Sequence, residues 1–326
     1  AAIDPNVISI KITLYRAAKN SKVINALINA ARNGKKVTVV IELQARFDEE
    51  ANIKWGRLLQ EEGINVLFGV PGLKVHSKVC LIERRENRKS VFYVNVSTGN
   101  YNEQTSHTYS DQALFTCNLQ ITKDAQKVFD FITNPLKNPD TEQLILSPFQ
   151  TRNHFIKLID QEIKNKKKGK PAAIMLKMNS LVDKALIEKL YEASKAGVPI
   201  RMIIRGICQL KAGVKGLSEN IQIISIIDRY LEHSRVYRFE NAGKPLFFIS
   251  SADFMTRNLD VRVEVSCPIY DAGIKKQLDE FLESQWKDNV KARIIDASLS
   301  NQKRKTGQRP FRSQVELKKL IAKGTR

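Results

Sequence analysis

The chain runs twice through one succession of strands and helices, and that repetition limits its fold more than any other feature. From Ile8, "ISIKITLYR" reads as a strand and "SKVINALINAARNG" as a helix with apolar residues at helical spacing and a stop at Gly34; "KKVTVVIEL" is the next strand. A helix over roughly Glu49 to Glu62 closes at Gly63 and leads into "INVLFG". The short strands "HSKVCLIER", "SVFYVNVS" and "DQALFT" follow, then the helix "TKDAQKVFDFIT", and "NPLKNPD" has the punctuation of a linker. Beyond it "AAIMLKMN", "LVDKALIEKLYEASKAG", "VPIRMIIRG", "IQIISII", "HSRVYRFEN", "PLFFISS" and "VRVEVSCPI" repeat the order.

The spacing repeats as well. Arg16 precedes His76 by 60 positions and Lys177 precedes His233 by 56, and each histidine opens the tripeptide HSK or HSR. Agreement of order, spacing and tripeptide points to duplication. The expected fold is α/β, with one domain over residues 1–143 and a second over 144–326. Each is expected to be a mixed, mostly parallel sheet flanked by helices, and the two to be related by pseudo-twofold symmetry. Ligands of such sheets gather beyond the carboxyl ends of the strands. Arg16, Arg46, Lys177 and Arg205 stand at those ends, so the two histidines and these cations are expected to line one cleft.

Charge narrows the partners. The 54 Lys and Arg exceed the 34 Asp and Glu by 20, a surplus that repels itself unless a polyanion is present. Nucleic acid, an anionic membrane face and inorganic phosphate chains all satisfy it, and charge alone does not rank them. No apolar run approaches the roughly 18 residues of a membrane span. The start "AAIDPNVISI" has neither an initiator Met nor the regions of a signal peptide, so the sequence is expected to begin partway along a longer polypeptide. Cys80, Cys117, Cys208 and Cys267 stand singly in strand-like stretches, which predicts buried, reduced thiols in a cytosolic protein.

A neutral imidazole is nucleophilic near pH 7, and the N–P bond that it forms is labile enough to pass a phosphoryl group onward. Guanidinium groups grip phosphate oxygens in pairs and meet charge developing on a transferred group. His76 and His233 with Arg16, Arg46 and Arg205 therefore read as a phosphoryl-transfer site. His107 and His154 have no counterpart in the other repeat and read as ordinary polar side chains.

The stretches "TLYRAAKNS", "GKKVTVVIELQARFDEEANI", "PGLKVHSKVCLI", "STGNYNEQT", "DRYLEHSRVY" and "SSADFMTRNLD" resemble the C-terminal catalytic half of bacterial polyphosphate kinase. The resemblance covers essentially the whole chain and implies two phospholipase D-like domains. It implies reversible transfer of the terminal phosphoryl of ATP to inorganic polyphosphate through a phosphohistidine, with Mg²⁺ as cofactor. By position it makes His76 the nucleophile and His233 its partner, places Arg16 and Arg46 at the phosphates with their Mg²⁺, and puts Tyr109, Arg205 and His233 at ATP. Lys78 and Arg235, two residues after their histidines and on the same face of a strand, are given a supporting phosphate role. Glu83 and Glu240 stand where the phospholipase D pattern has Asp, and Arg235 stands in place of its Lys, which weakens a phosphodiesterase reading.

Family members carry N-terminal domains that hold part of the nucleotide site, and nothing here matches them. The resemblance further implies polyphosphate and ATP or ADP as partners, a homo-oligomer for the full-length protein, no specific nucleic acid, and a cytoplasmic location with room for peripheral membrane contact. Two alternatives stay open: a phospholipase D-like phosphodiesterase or nuclease, and a basic nucleic-acid binding module that leaves the histidines idle. Elsewhere plainer readings hold. Asp48, Glu49 and Glu50 cap a helix start, "KNKKKGK" at 164–170 is a solvated turn, and "NQKRKTGQRPFRS" is a flexible basic connection. "STGNYN" fits a phosphate-facing loop that precedes no clear helix.

Overall fold

A computed structural model describes residues 1–43, 45, 49–136 and 138–324. Arg46 and Asp48 lie outside the described residues. Contacts divide the chain into two units, one of residues 1–151 with 257–267 and the other of 152–256 with 268–326.

In order, the first unit opens with β1 (Val7–Leu14), α1 (Lys22–Arg32), β2 (Lys36–Ile41), α2 (Glu49–Glu61), β3 (Asn65–Leu67) and β4 (Lys74–Val75). It continues with β5 (Val79–Glu86), β6 (Lys89–Ser97), α3 (Glu103–Ser106), β7 (Tyr109–Ser110), β8 (Ala113–Thr116), α4 (Leu119–Thr133) and β9 (Ile145–Ser147). Six strands form one sheet in the order β3-β2-β1-β5-β6-β8. β1 lies parallel to β2, pairing Ser9 with Lys36 through Leu14 with Ile41, and antiparallel to β5. The α1 helix starts because the Ser21 hydroxyl accepts from the Ile24 amide, and it buries Ile24, Leu27 and Ile28 against Ile10, Ile12 and Val39 of the sheet. The turn after it needs a left-handed residue, supplied by Gly34 at φ +73°.

Next come α5 (Thr151–Lys167), β10 (Ile174–Met178), α6 (Lys184–Lys195), β11 (Ile200–Ile204), β12 (Ile221–Ile226), β13 (Leu231–Glu232), β14 (Arg235–Phe239) and β15 (Leu246–Ser250). Then follow α7 (Thr256–Asp260), β16 (Arg262–Ile269), α8 (Ala272–Trp286), β17 (Ala292–Ile294) and α9 (Ser313–Gly324). Within the second unit the strands run β17-β12-β11-β10-β14-β15, and β10 is parallel to β11 and antiparallel to β14, as β1 is to β2 and β5. The segment 257–267 returns to the first unit, where β16 pairs parallel with β4 and antiparallel with β9.

The sheets are mixed, as expected: β1, β2 and β3 pair parallel, as do β10, β11 and β12 and β16 with β4, while β5, β6, β8, β14 and β15 pair antiparallel with the neighbours described. The first two strands after each histidine, β5 with β6 and β14 with β15, are joined by short connections, and such connections force antiparallel pairing. Four local expectations need correction. The run at 164–170 is mostly helix, because α5 continues to Lys167 and buries Asn165, and the turn is left to Lys168 and Gly169. Cys117 is exposed rather than buried, because it follows β8 at the edge of its sheet, and Cys80 and Cys208 are half-buried; all four thiols are free. "STGNYN" is followed by a one-turn helix, α3, capped by the Asn102 side chain. The stretch "NQKRKTGQRPFRS" is tied down: the Arg304 guanidinium lies 5.1 Å over the Trp286 ring, and Arg312 forks Asp228 at 2.5 and 2.8 Å. Among the described residues no helix is long and apolar enough to cross a membrane.

Candidate active site

His76 sits at a break between strands. β4 pairs with β16 up to Val75, after which the amides of both His76 and Ser77 donate to the Val263 carbonyl, at 3.0 and 2.8 Å. Two donors on one carbonyl end the ladder. The chain then joins β1 through Thr13, whose hydroxyl donates to the Ser77 carbonyl at 2.7 Å and accepts from the Val79 amide at 3.0 Å. His76 and Lys78 therefore lie in a kink that precedes β5, not on one face of a strand as their spacing suggests.

The kink delivers the imidazole to a buried carboxylate. His76 Nδ1 lies 2.8 Å from Glu264 Oε1 and 3.0 Å from Oε2, and the Glu264 side chain is 1% exposed. A carboxylate accepts, so the ring places its proton on Nδ1 and keeps the lone pair on Nε2. The edge of Tyr15 packs on the ring at a centroid distance of 4.6 Å. The same phenol ring carries the Arg16 guanidinium at 5.6 Å and the Lys78 ammonium at 5.4 Å, so one aromatic side chain gathers the histidine and two cations. Lys78 is 1% exposed and donates to the carbonyl of His76 itself, which makes it a brace for the kink. Glu42 braces the preceding residue by accepting from the Val75 amide at 2.8 Å. It also lines a cavity of about 430 Å³ with Phe68, Lys74 and Val261. Tyr109 is half-buried on β7.

The second unit repeats the break and surrounds it differently. His233, half-buried, stands between β13 and β14. Arg235 Nη1 lies 3.2 Å from its Nε2 and 3.4 Å from its Nδ1, and donates to the His233 carbonyl at 2.9 Å. The rest of that guanidinium faces Asp253, with Nε 3.2 Å from Oδ1 and Nη2 3.3 Å from Oδ2. Burial alone would raise the Asp253 carboxyl, but the Arg235 charge and hydrogen bonds from Arg235 and Asn179 outweigh it and hold it below its ordinary value. Arg205, just past β11, donates from Nε to Asn179 Oδ1 at 2.7 Å and to the Glu232 carbonyl at 2.8 Å. Lys177 does not line an open cleft: it is 1% exposed and its ammonium lies 3.1 Å from Glu232 Oε2.

The remaining titratable groups have plain roles. Glu83 accepts from the hydroxyls of Ser9 and Ser90, and Glu240 pairs with Arg238. His107 is exposed, while His154 packs on Phe155 and Phe248 and is held below its ordinary pKa by burial and then by Lys157. The residues that sequence reasoning missed are Glu264, Asp253, Glu232 and Tyr15. One of them carried a signal: Glu264 in "VRVEVSCPI" is a charge inside an apolar strand, and a buried charge demands a partner.

Sequence comparison decides the family. The description "Polyphosphate kinase C-terminal domain 1" matches residues 1–138 and "Polyphosphate kinase C-terminal domain 2" matches 144–314. The chain belongs to the polyphosphate kinase family. The polyphosphate kinase of Vibrio cholerae is 52% identical over 318 residues, which are 97% of this chain and 45% of that protein. The enzyme of Escherichia coli K12 is 49% identical over 301 residues, 92% of this chain and 44% of the relative. The chain thus spans about half the length of the relatives it matches. Among solved structures, polyphosphate kinase from Porphyromonas gingivalis superimposes with a TM-score of 0.91 at 40% identity, over 99% of this chain and 50% of that one. Phosphatidylserine synthase from Haemophilus influenzae follows with a TM-score of 0.61 at 10% identity over 98% of this chain and 88% of its own, a likeness of fold alone.

Proposed function

We propose that the chain is the catalytic part of a polyphosphate kinase and that His76 Nε2 is its phosphoryl acceptor. The observation that carries the reading is the pairing of His76 Nδ1 with buried Glu264 at 2.8 Å. Nε2 attacks the γ-phosphorus of ATP, an N–P bond forms, the bond to the bridging oxygen breaks and ADP leaves. The ring becomes cationic in that step, and the Glu264 carboxylate balances it through the Nδ1 proton. A terminal oxygen of polyphosphate then attacks the phosphorus, the N–P bond breaks, and the chain is one unit longer with the imidazole neutral again.

Arg16, gathered with His76 on Tyr15, is assigned to the oxygens of the transferred group. A guanidinium cannot ligate Mg²⁺, and among the described residues no group of three or more His, Cys, Asp or Glu could hold a metal ion. The ion is therefore assigned to the nucleotide phosphates, as part of the substrate. Tyr109, Arg205 and His233 are assigned to ATP, and Arg46 to phosphate, on the family resemblance. A polyphosphate chain, with about one charge per phosphate, gives the net charge of +20 a use that a small substrate would not.

The test is to incubate the complete gene product with γ-labelled ATP and Mg²⁺ and look for acid-labile, alkali-stable label and for polyphosphate. Both are expected and both vanish in His76→Ala. A folded protein that cleaves a model phosphodiester but takes up no label would overturn the reading in favour of hydrolysis.

A further inference from the structure

Glu232 immediately precedes His233, and its carboxylate, 3% exposed, is where three distant side chains meet. Lys177 of β10 lies 3.1 Å from Oε2, Gln285 of α8 donates to Oε2 at 2.5 Å, and Gln314 in the first turn of α9 donates to Oε1 at 2.7 Å. The Gln314 amide does more. Its oxygen accepts from the Tyr230 amide at 3.0 Å and its nitrogen donates to the Tyr230 carbonyl at 2.8 Å, so one side chain pairs with main chain as a neighbouring strand would. Both N–H groups and the carbonyl of this amide are then in use on residues 230 and 232.

Of the two residues before it, Arg312 grips the same segment and Ser313 is anchored to Asp288, just after α8. Arg312 forks Asp228, whose side chain is 1% exposed, and the Ser313 amide and hydroxyl both donate to Asp288 Oδ2, at 2.7 and 2.8 Å. Segment 228–232 is thus held by Arg312 and Gln314, more than 80 positions later in the sequence, while Ser313 ties the start of α9 to Asp288. Adjacent α-carbons are 3.8 Å apart and rigidly linked, so a shift of Glu232 carries His233 with it.

We propose that Gln314 is a positioning residue for His233, and that Arg312, Ser313 and Gln314 form a latch that sets where the imidazole stands. A clamp that only stabilised the fold would not need its amide on the residue next to the histidine. The family match ends at residue 314, so the latch lies at the limit of the matched region, and all but two residues of α9 extend beyond it. The effect on catalysis rests on the function proposed above; the effect on the ring does not.

The experiment measures carbethoxylation of each histidine by diethyl pyrocarbonate, mapped by mass spectrometry, in the complete gene product carrying Gln314→Ala. A second variant, Gln314→Met, keeps the length of the side chain and removes only the amide, should the shorter one fail to fold. The rate at His233 is expected to rise at least about threefold with His76 and His107 unchanged, and kcat/KM for polyphosphate synthesis to fall about 10- to 100-fold, the scale of a 1 Å misplacement. Unchanged labelling of His233 in a folded variant overturns the proposal, whether or not turnover falls. If the unsubstituted protein makes no polyphosphate, the proposed function fails, and the labelling alone decides the role of Gln314.

Discussion

Replacing Glu264 with Gln keeps the shape beside His76 and removes the charge. In the native arrangement a carboxylate that is 1% exposed accepts from Nδ1 through Oε2 at 3.0 Å, and that bond strengthens as the ring gains positive charge on phosphorylation. A hydrogen bond to a charged group is worth about 1.5–3 kcal/mol, and each 1.36 kcal/mol is tenfold in rate, so the phosphorylation step should slow about 10- to 150-fold. Gln also presents an N–H as readily as an oxygen, which lets the ring turn to the tautomer with its lone pair on Nδ1. The assay is a single-turnover measurement with γ-labelled ATP and an alkaline quench, with unfolding by urea as a control for stability. Wild-type phosphorylation rates in a folded Glu264→Gln protein would show that the nucleophilicity of Nε2 owes nothing to the carboxylate on Nδ1.

Asp253→Asn leaves the Arg235 guanidinium, 4% exposed, without its counter-charge and should cost about 3–5 kcal/mol in urea unfolding at pH 7. Because Asp253 is held below its ordinary value in the fold, its stabilisation is complete above the unfolded carboxyl value of about 3.9 and is lost as pH falls through the lower folded value. The gap between wild type and Asp253→Asn should therefore narrow in acid; a gap that widens there would contradict the assignment. Iodoacetamide at pH 8 should alkylate exposed Cys117 first, while Cys80 and Cys267, whose thiols burial pushes up to about 12, react only on unfolding. Peptide mapping that finds Cys267 modified in native protein would show that its strand is not packed as described.

The alternation of strands and helices was legible because the elements carry their own periods and Gly34 and Gly63 stop the helices before them; that Ser21 caps α1 and Asp183 caps α6 emerged from the structure. The two HS[KR] tripeptides pointed to a repeated order, and β1 and β10 have matching neighbours. The partners of the histidine were not legible, because a contact between His76 and Glu264 spans 188 positions and leaves no spacing to detect. Spacing also misled at Lys78: two residues apart implies one face only where a strand continues, and here two amides on the Val263 carbonyl break it. The stretch around Arg304 and Arg312 looked unattached for a related reason. Single polar bonds to the Trp286 carbonyl, Asp228 and Asp288 hold it, and such bonds have no periodicity.

The most direct measurement is to locate the phosphoryl group itself, by tandem mass spectrometry of alkaline digests made during turnover, with the ring isomer assigned by NMR of the isolated peptide. Phosphate is expected on His76, on Nε2, with its chase into polyphosphate. Phosphate on His233, or on Nδ1 of His76, in a protein that still makes polyphosphate would contradict that assignment.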